Sequence, residues 1–346
     1  MTSDQARRCR RIGLVLLQLV CLALAIWLLV VPQLQHSSRS LHLLGDIDNG
    51  WIPAGVLAEG ASLLVFALAT RALLRDSGRP ALHRVLRIDL SSIALSHCLP
   101  GGSAAGTALG WRLLTLSGVP PAEAGFAKVA QGVGSAVVLQ ALLFVVLVLA
   151  LPVQGISQWT LYPVVADLSL IVLTVAIGRM LRRPKWQRRL RRALARPPDH
   201  HRFAAPRTAL ARAVHAIEQQ VVIAFSDRRR LARAAGWAAA NWTFDGIALW
   251  ASLRAYGHPV SLDSVALAFG VANTIAWLPI TPNGLGITEG VMIPMLVIFG
   301  CSRSVATLGV LTWRVIGFWL PIPLGAAAYG SLHAGRMRRG GRAAAT

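Results

Sequence analysis

Leu278-Pro279-Ile280-Thr281-Pro282-Asn283-Gly284-Leu285-Gly286 sits in the middle of an apolar stretch running from about residue 263 to residue 300. One helix cannot run through this segment. Each proline removes an N–H and clashes with the preceding turn, and each glycine loses backbone entropy on ordering. A second apolar stretch, 88–117, is broken the same way at Leu99-Pro100-Gly101-Gly102. How these two broken stretches sit among their neighbours decides the fold.

Uninterrupted apolar runs surround them, at about 12–31, 51–74, 122–151, 159–181, 231–254 and 304–331. Each is long enough for the ~20 residues a helix needs to cross a bilayer. Charged residues make up only 14% of the chain and hydrophobic ones 55%. A soluble domain carries about 25% charged residues, so a soluble or secreted protein is excluded. A membrane β-barrel would need short alternating segments, and none occurs. The class is therefore an all-α polytopic membrane protein, a single membrane domain over 1–346. The first run follows Arg7, Arg8, Arg10 and Arg11, exceeds an ordinary signal-peptide core and meets no small-x-small cleavage site. It reads as a retained signal-anchor helix rather than a cleaved leader.

The formal charge of +21 is not a nucleic-acid footprint, because the basic residues collect in a few loops between apolar runs. That is the positive-inside pattern. It places the N-terminus, the loop with Arg71, Arg75, Arg79, Arg84 and Arg87, the segment 182–230 and the tail with Arg336, Arg338, Arg339 and Arg342 on the cytoplasmic side of the inner membrane. If 88–117 crossed once, Arg182-Arg183-Pro184-Lys185 would lie outside. An even number of crossings restores the rule, as a re-entrant hairpin or as two short spans. The same parity applies to 263–300, and both termini are then cytoplasmic.

An internal symmetry follows. Span 51–74, hairpin 88–117 and span 122–151 form one repeat (about 51–151), and span 231–254, hairpin 263–300 and span 304–331 form a second (about 231–331). The two enter the membrane from opposite faces. This is the inverted-repeat layout of many secondary transporters, against the simpler reading of two chance kinks in an ordinary bundle. The basic segment 182–230 between them carries helical periodicity over 207–226. It reads either as a plain connector or as an amphipathic helix on anionic inner-leaflet lipids.

Broken helices expose backbone, which a bilayer tolerates only where protein or water covers it. Gly101-Gly102-Ser103 and Gly284-Leu285-Gly286 each open a half-helix whose free N–H groups favour an anion. Charged side chains inside apolar spans are costly. Here they are Glu59, Arg112, Asp245, Glu289 and Arg314. Glu59 and Asp245 lie at similar depths and would border one cavity or carry a proton. Glu289 lies one turn into the second half-helix, within reach of Arg314. For each, the alternative is a structural ion pair, and Arg112 would alternatively snorkel to the interface. Lys128 and Glu123 read as boundary residues. The four scattered cysteines make no disulfide framework or zinc site. With no G-x-S-x-G, H-E-x-x-H or Walker motif, an enzyme, a cofactor and direct coupling to ATP are not expected.

The chain resembles the flippase-like integral membrane proteins related to the transmembrane region of lysylphosphatidylglycerol synthase. The resemblance is carried by Leu99-Pro100-Gly101-Gly102 with Arg112-Leu113-Leu114 and Gly118-Val119-Pro120, and by Leu278 to Gly286 with Glu289-Gly290, Arg314 and Phe318-Trp319-Leu320-Pro321. Asn283 stands where the family usually has glycine. The Glu-Arg pair often seen early in the span after the first hairpin is replaced by the sequence Lys128 to Gly132. The resemblance implies translocation of a lipid or lipid-linked substrate. Its phosphate would meet Arg112 and Arg314, its headgroup Glu289, and the breaks at Gly101, Gly102, Gly284 and Gly286 would offer backbone N–H groups. The synthases' cytosolic aminoacyl-transferase domain has no counterpart here, so no aminoacyl-lipid synthesis is implied. A proton-coupled carrier of a small solute, and a non-transporting partner of a cell-envelope synthase, are the competing readings.

Overall fold

A computed structural model describes residues 48, 50–75, 78–99, 102–154, 168–169, 172, 227–257, 261–276 and 281–343. The proposed span 12–31, all but three residues of the proposed span 159–181, most of the basic segment 182–230, and Gly101 lie outside these residues.

The described residues are helical. α1 is Trp51–Leu73, α2 Leu82–Cys98, α3 Gly102–Thr115 and α4 Pro121–Gln154. In the second half α5 is Arg228–Arg254, α6 Leu262–Ala276, α7 Ile287–Ile298 and α8 Arg303–Arg314, which continues through a π turn, Val315–Trp319, into α9, Pro321–Ala343. Three stretches are long and apolar enough to cross a membrane: Trp51–Leu73, Pro121–Leu149 and Arg303–Ala334. α5 has the length, but Asn241, Asp245 and its arginines lower its hydropathy. The arms of the broken stretches are shorter, at 17, 14, 15 and 12 residues, below the ~20 a span requires.

Local sequence sets the boundaries. Pro121 occupies the first turn of α4, where a missing N–H costs nothing. Asp227 caps α5 by accepting the Arg230 N–H at 3.0 Å, and Ser302 caps α8 through Val305 N–H, as short polar side chains do at helix starts. The π turn has a chemical cause. Pro321 and Pro323 bring no N–H to the helical ladder, and Leu320 N–H instead reaches back five residues to Val315 O at 2.9 Å. A span read as regular from its hydropathy is therefore irregular at its centre.

The helices pair in a pattern that survives exchange of the halves. α1 packs along α5, α2 against α9, and α6 against α4. Within each half the hairpin arms pack on each other, α2 on α3 and α6 on α7, and the second arm packs on the following helix. The largest core cluster joins Leu249, Leu253, Met292, Leu296 and Val310, from α5, α7 and α8. The first hairpin closes through small residues, as close helix pairs in membranes do. Gly106 leaves no room for a Cβ, which would run into Ser92 O on α2. Gly106→Leu should therefore force the arms apart and destabilise the detergent-solubilised protein by about 1–3 kcal/mol, the usual cost of overpacking. Gly60→Leu, at a position where a Cβ meets nothing, should leave the thermal midpoint unchanged.

Candidate functional site

The two broken stretches meet. The turn Pro282–Gly284 touches both α2 and α3, and a cavity of about 490 Å³ opens where they converge. Its wall takes Ser96, His97, Gly102 and Ser103 from the first hairpin and Thr281, Asn283 and Gly284 from the second. α1 contributes Glu59, α5 Asn241 and Asp245, and α8 Arg314.

The second tip is held by unusual backbone. Asn283, Gly284 and Gly286 have φ of 44°, 72° and 84°, a region open to glycine and, at small cost, to asparagine. This explains how Asn283 serves where the family usually has glycine. Gly284 is required twice over, because a Cβ there would stand 2.5 Å from Ala276 Cβ. Glu289 then locks the turn. Its Oε2 accepts the Gly286 N–H at 2.6 Å, satisfying the amide at the N-cap of α7, and its Oε1 lies 2.6 Å from Arg314 Nε. Both residues are buried, at 5% and 6% exposure.

Arg314 is the central cation. Its guanidinium lies against the Trp313 and Phe318 rings, 4.8 and 5.7 Å from their centroids. The contact with Glu289 is one of charge rather than of aligned N–H geometry, and Arg314 Nη2 is buried without a hydrogen-bond partner among the described residues. Thr281 Oγ1 and Glu59 Oε2 are likewise buried and unpartnered. With Arg314 Nε, four such atoms belong to residues of one cavity wall, although buried polar groups are normally satisfied. Asp245 accepts from Trp313 Nε1–H at 2.7 Å. His97 is tied through Nδ1 to Phe318 O at 2.9 Å and stacks flat on the Phe318 ring at 4.4 Å.

The residues singled out from sequence separate into two groups. Glu59, Asp245, Gly102, Gly284 and Arg314 line the cavity. Glu289 stands behind Arg314, and Gly286 supports the turn, so neither is on the wall. Arg112 is exposed and also off the wall. Other wall residues escaped the sequence reading: His97, Asn241, Trp242, Gln131 and Thr281. Trp242 donates Nε1–H to Ser135 O at 2.9 Å beside the cavity. Asn241 joins α5 to α1 by donating to Ser62 Oγ at 2.7 Å.

Lys128, placed from the sequence near a membrane boundary, is buried in the bundle. Its ammonium is buried 2.7 Å from Asp89 Oδ1 and 2.8 Å from Gln131 Oε1. Thr70 donates to the other Asp89 oxygen at 2.7 Å, so the network ties α1, α2 and α4 together behind the wall. Glu123 is buried too; it accepts the Arg75 N–H and lies 3.9 Å from Arg230. Arg230 in turn donates to the Ala72 and Leu73 carbonyls at the end of α1. Among the described residues no three His, Cys, Asp or Glu side chains gather as a metal site.

An all-helical bundle with spans apolar enough for a bilayer and a polar cavity at the tips of two broken hairpins is a multi-pass membrane protein. The chain belongs to the lysylphosphatidylglycerol synthase TM region family, which it matches over residues 12–325. It is 33% identical over 87 residues to a UPF0104 membrane protein of Methanothermobacter thermautotrophicus, covering 25% of this chain and 26% of the relative. A second UPF0104 membrane protein of that organism is 31% identical over 97 residues, covering 28% and 29%. The chain thus spans under a third of the length of these curated relatives.

Proposed function

We propose that the protein translocates a lipid or lipid-linked substrate across the cytoplasmic membrane. The observation that carries the reading is a polar cavity within a family of membrane proteins, walled by the tips of both hairpins and holding buried, unpaired Arg314 Nη2, Thr281 Oγ1 and Glu59 Oε2. A phosphate would meet Arg314 Nη2 and the Thr281 hydroxyl, both donors, and the hydroxyl or amine of a headgroup would meet Glu59. Acyl chains would remain in lipid. The exchange-symmetric packing supports an inverted repeat with re-entrant hairpins and alternating access by rocking of one repeat against the other; the placement of the arginines favours both termini on the cytoplasmic side. In this reading the protein is a carrier and not an enzyme, needs no cofactor, and rests its basic 182–230 segment on anionic inner-leaflet lipids. Exposed Arg112 would take its place at the substrate's route of entry.

Gly132→Trp tests the reading without touching a charge. Gly132 is on the wall, and a Cβ there meets nothing within 4 Å, so an indole enters the cavity with little strain. In liposomes carrying headgroup-labelled lipids, the wild type should move label between leaflets. The variant should fold and lose most of that movement. Equal rates in the two proteins would place the substrate elsewhere.

A further inference from the structure

We infer that Glu59 and Asp245 form a single proton-binding site in the cavity, a carboxyl pair that holds one proton between its two side chains. The argument begins with hydrogen-bonding capacity. The two carboxyls stand on one cavity wall, carried by α1 and α5, which pack along each other, and they are close enough for one to accept a proton held by the other. An ionised carboxylate only accepts, so two can share a hydrogen bond only when one proton is present.

The surroundings supply no substitute for that proton. Glu59 is 6% exposed, and its Oε2 has no partner among the described residues. From α8, Trp313 donates to Asp245, and Arg314 faces it as the nearest cation. Arg314 is already in contact with Glu289 of α7 at 2.6 Å, so the cation that faces Asp245 is shared with another carboxylate. From the π turn, Gly317 brings only its backbone near Glu59, where a Cβ would lie 3.4 Å from the carboxyl carbon. From α2, His97 is committed through Nδ1 to Phe318 O, and Asp89 is matched by Lys128 of α4. Glu123 of α4 and Arg230 of α5 pair with each other at 3.9 Å. Low dielectric strengthens the repulsion between two like charges left facing one another.

Loss of the proton would leave both Glu59 oxygens as bare acceptors on the cavity wall, since Oε2 already has no partner among the described residues. A donor group of a substrate would then fill the vacant role, so proton and substrate would alternate at the same place. Such competition couples movement of one to movement of the other. The inference holds whether the substrate is a lipid or a solute, and its test uses no substrate.

The test is infrared absorption of the full chain in phosphatidylcholine vesicles, titrated across neutral pH in water and in deuterium oxide. The wild type should show a protonated-carboxyl C=O band that shifts on deuteration and disappears as pH rises. Glu59→Gln and Asp245→Asn should each abolish it, and Glu59→Asp, which keeps a carboxyl, should restore it. A wild type with no titrating band would overturn the inference whatever the variants do. A band kept in full by either amide variant would overturn the sharing of the proton. Failure of the leaflet assay above would leave this readout untouched.

Discussion

Arg314→Met is expected to be among the most damaging single substitutions in the described residues, destabilising the protein by about 3–5 kcal/mol. That is the usual cost of removing one partner from a buried ion pair. Glu289 would remain at 5% exposure with only the Gly286 N–H to hold its charge, and Asp245 would lose its nearest cation. The break at Pro282–Gly284 would lose its lock at the same time, so the cavity wall should loosen before the helices melt. Arg314→Lys keeps the charge but not the planar fork, and it should recover part of the stability while leaving transport impaired. The double change Glu289→Gln with Arg314→Met removes both charges and should fold better than Arg314→Met alone. The measurement is the thermal midpoint and monodisperse fraction in detergent, read beside leaflet-to-leaflet lipid movement. If Arg314 touches substrate, the double variant regains folding but not transport. Recovery of both would reduce the residue to a structural brace. The Gly286 N–H bond to Glu289 and the 2.6 Å contact with Arg314 make the loss of stability the first effect.

Lys128→Met should be nearly as costly, again about 3–5 kcal/mol, for a different reason. Asp89 is 1% exposed, and with Lys128 gone only the Thr70 hydroxyl would face it. Lys128→Met with Asp89→Leu replaces the pair by apolar groups of similar size. It should return most of the lost stability, because neither ion then has to be desolvated. The coupling in this double-mutant cycle should greatly exceed that of distant sites, which add to within about 0.3–0.5 kcal/mol. Strict additivity of the two losses would show that the ions do not interact. Transport should follow folding here, since the pair stands behind the wall and only Gln131 of its network faces the cavity.

Several site residues could be read from the chain because they break a one-dimensional rule. A carboxylate or guanidinium inside an apolar run is expensive wherever it points, so Glu59, Asp245, Glu289 and Arg314 stand out without a fold. Prolines and glycines at 279–286 forbid a continuous helix for equally local reasons. His97, Asn241, Gln131 and Thr281 break no such rule. They are ordinary polar residues near helix breaks or on helical faces, and only the convergence of α1, α2, α4, α5 and the second hairpin makes them neighbours. The burial of Lys128 was not legible, because a cation near the end of an apolar run can usually snorkel to water, whereas here Asp89, thirty-nine positions earlier, holds it inside. The π turn was the one local feature left unread. Pro321 and Pro323, two residues apart, announce missing N–H donors just past the middle of the last span.

Hydropathy, the placement of arginines and the two Pro/Gly breaks were enough to establish a multi-pass helical membrane protein with paired broken hairpins. Those are matters of solvation and backbone chemistry, acting residue by residue along the chain. Which polar groups share a cavity was decided by tertiary packing alone. So was the choice of Glu289 as the brace behind Arg314, the seclusion of the Lys128–Asp89 pair, and the exclusion of Arg112 from the wall. An ion pair or a cavity joins helices far apart in sequence, and its energy depends on distances of a few ångströms that no spacing along the chain encodes.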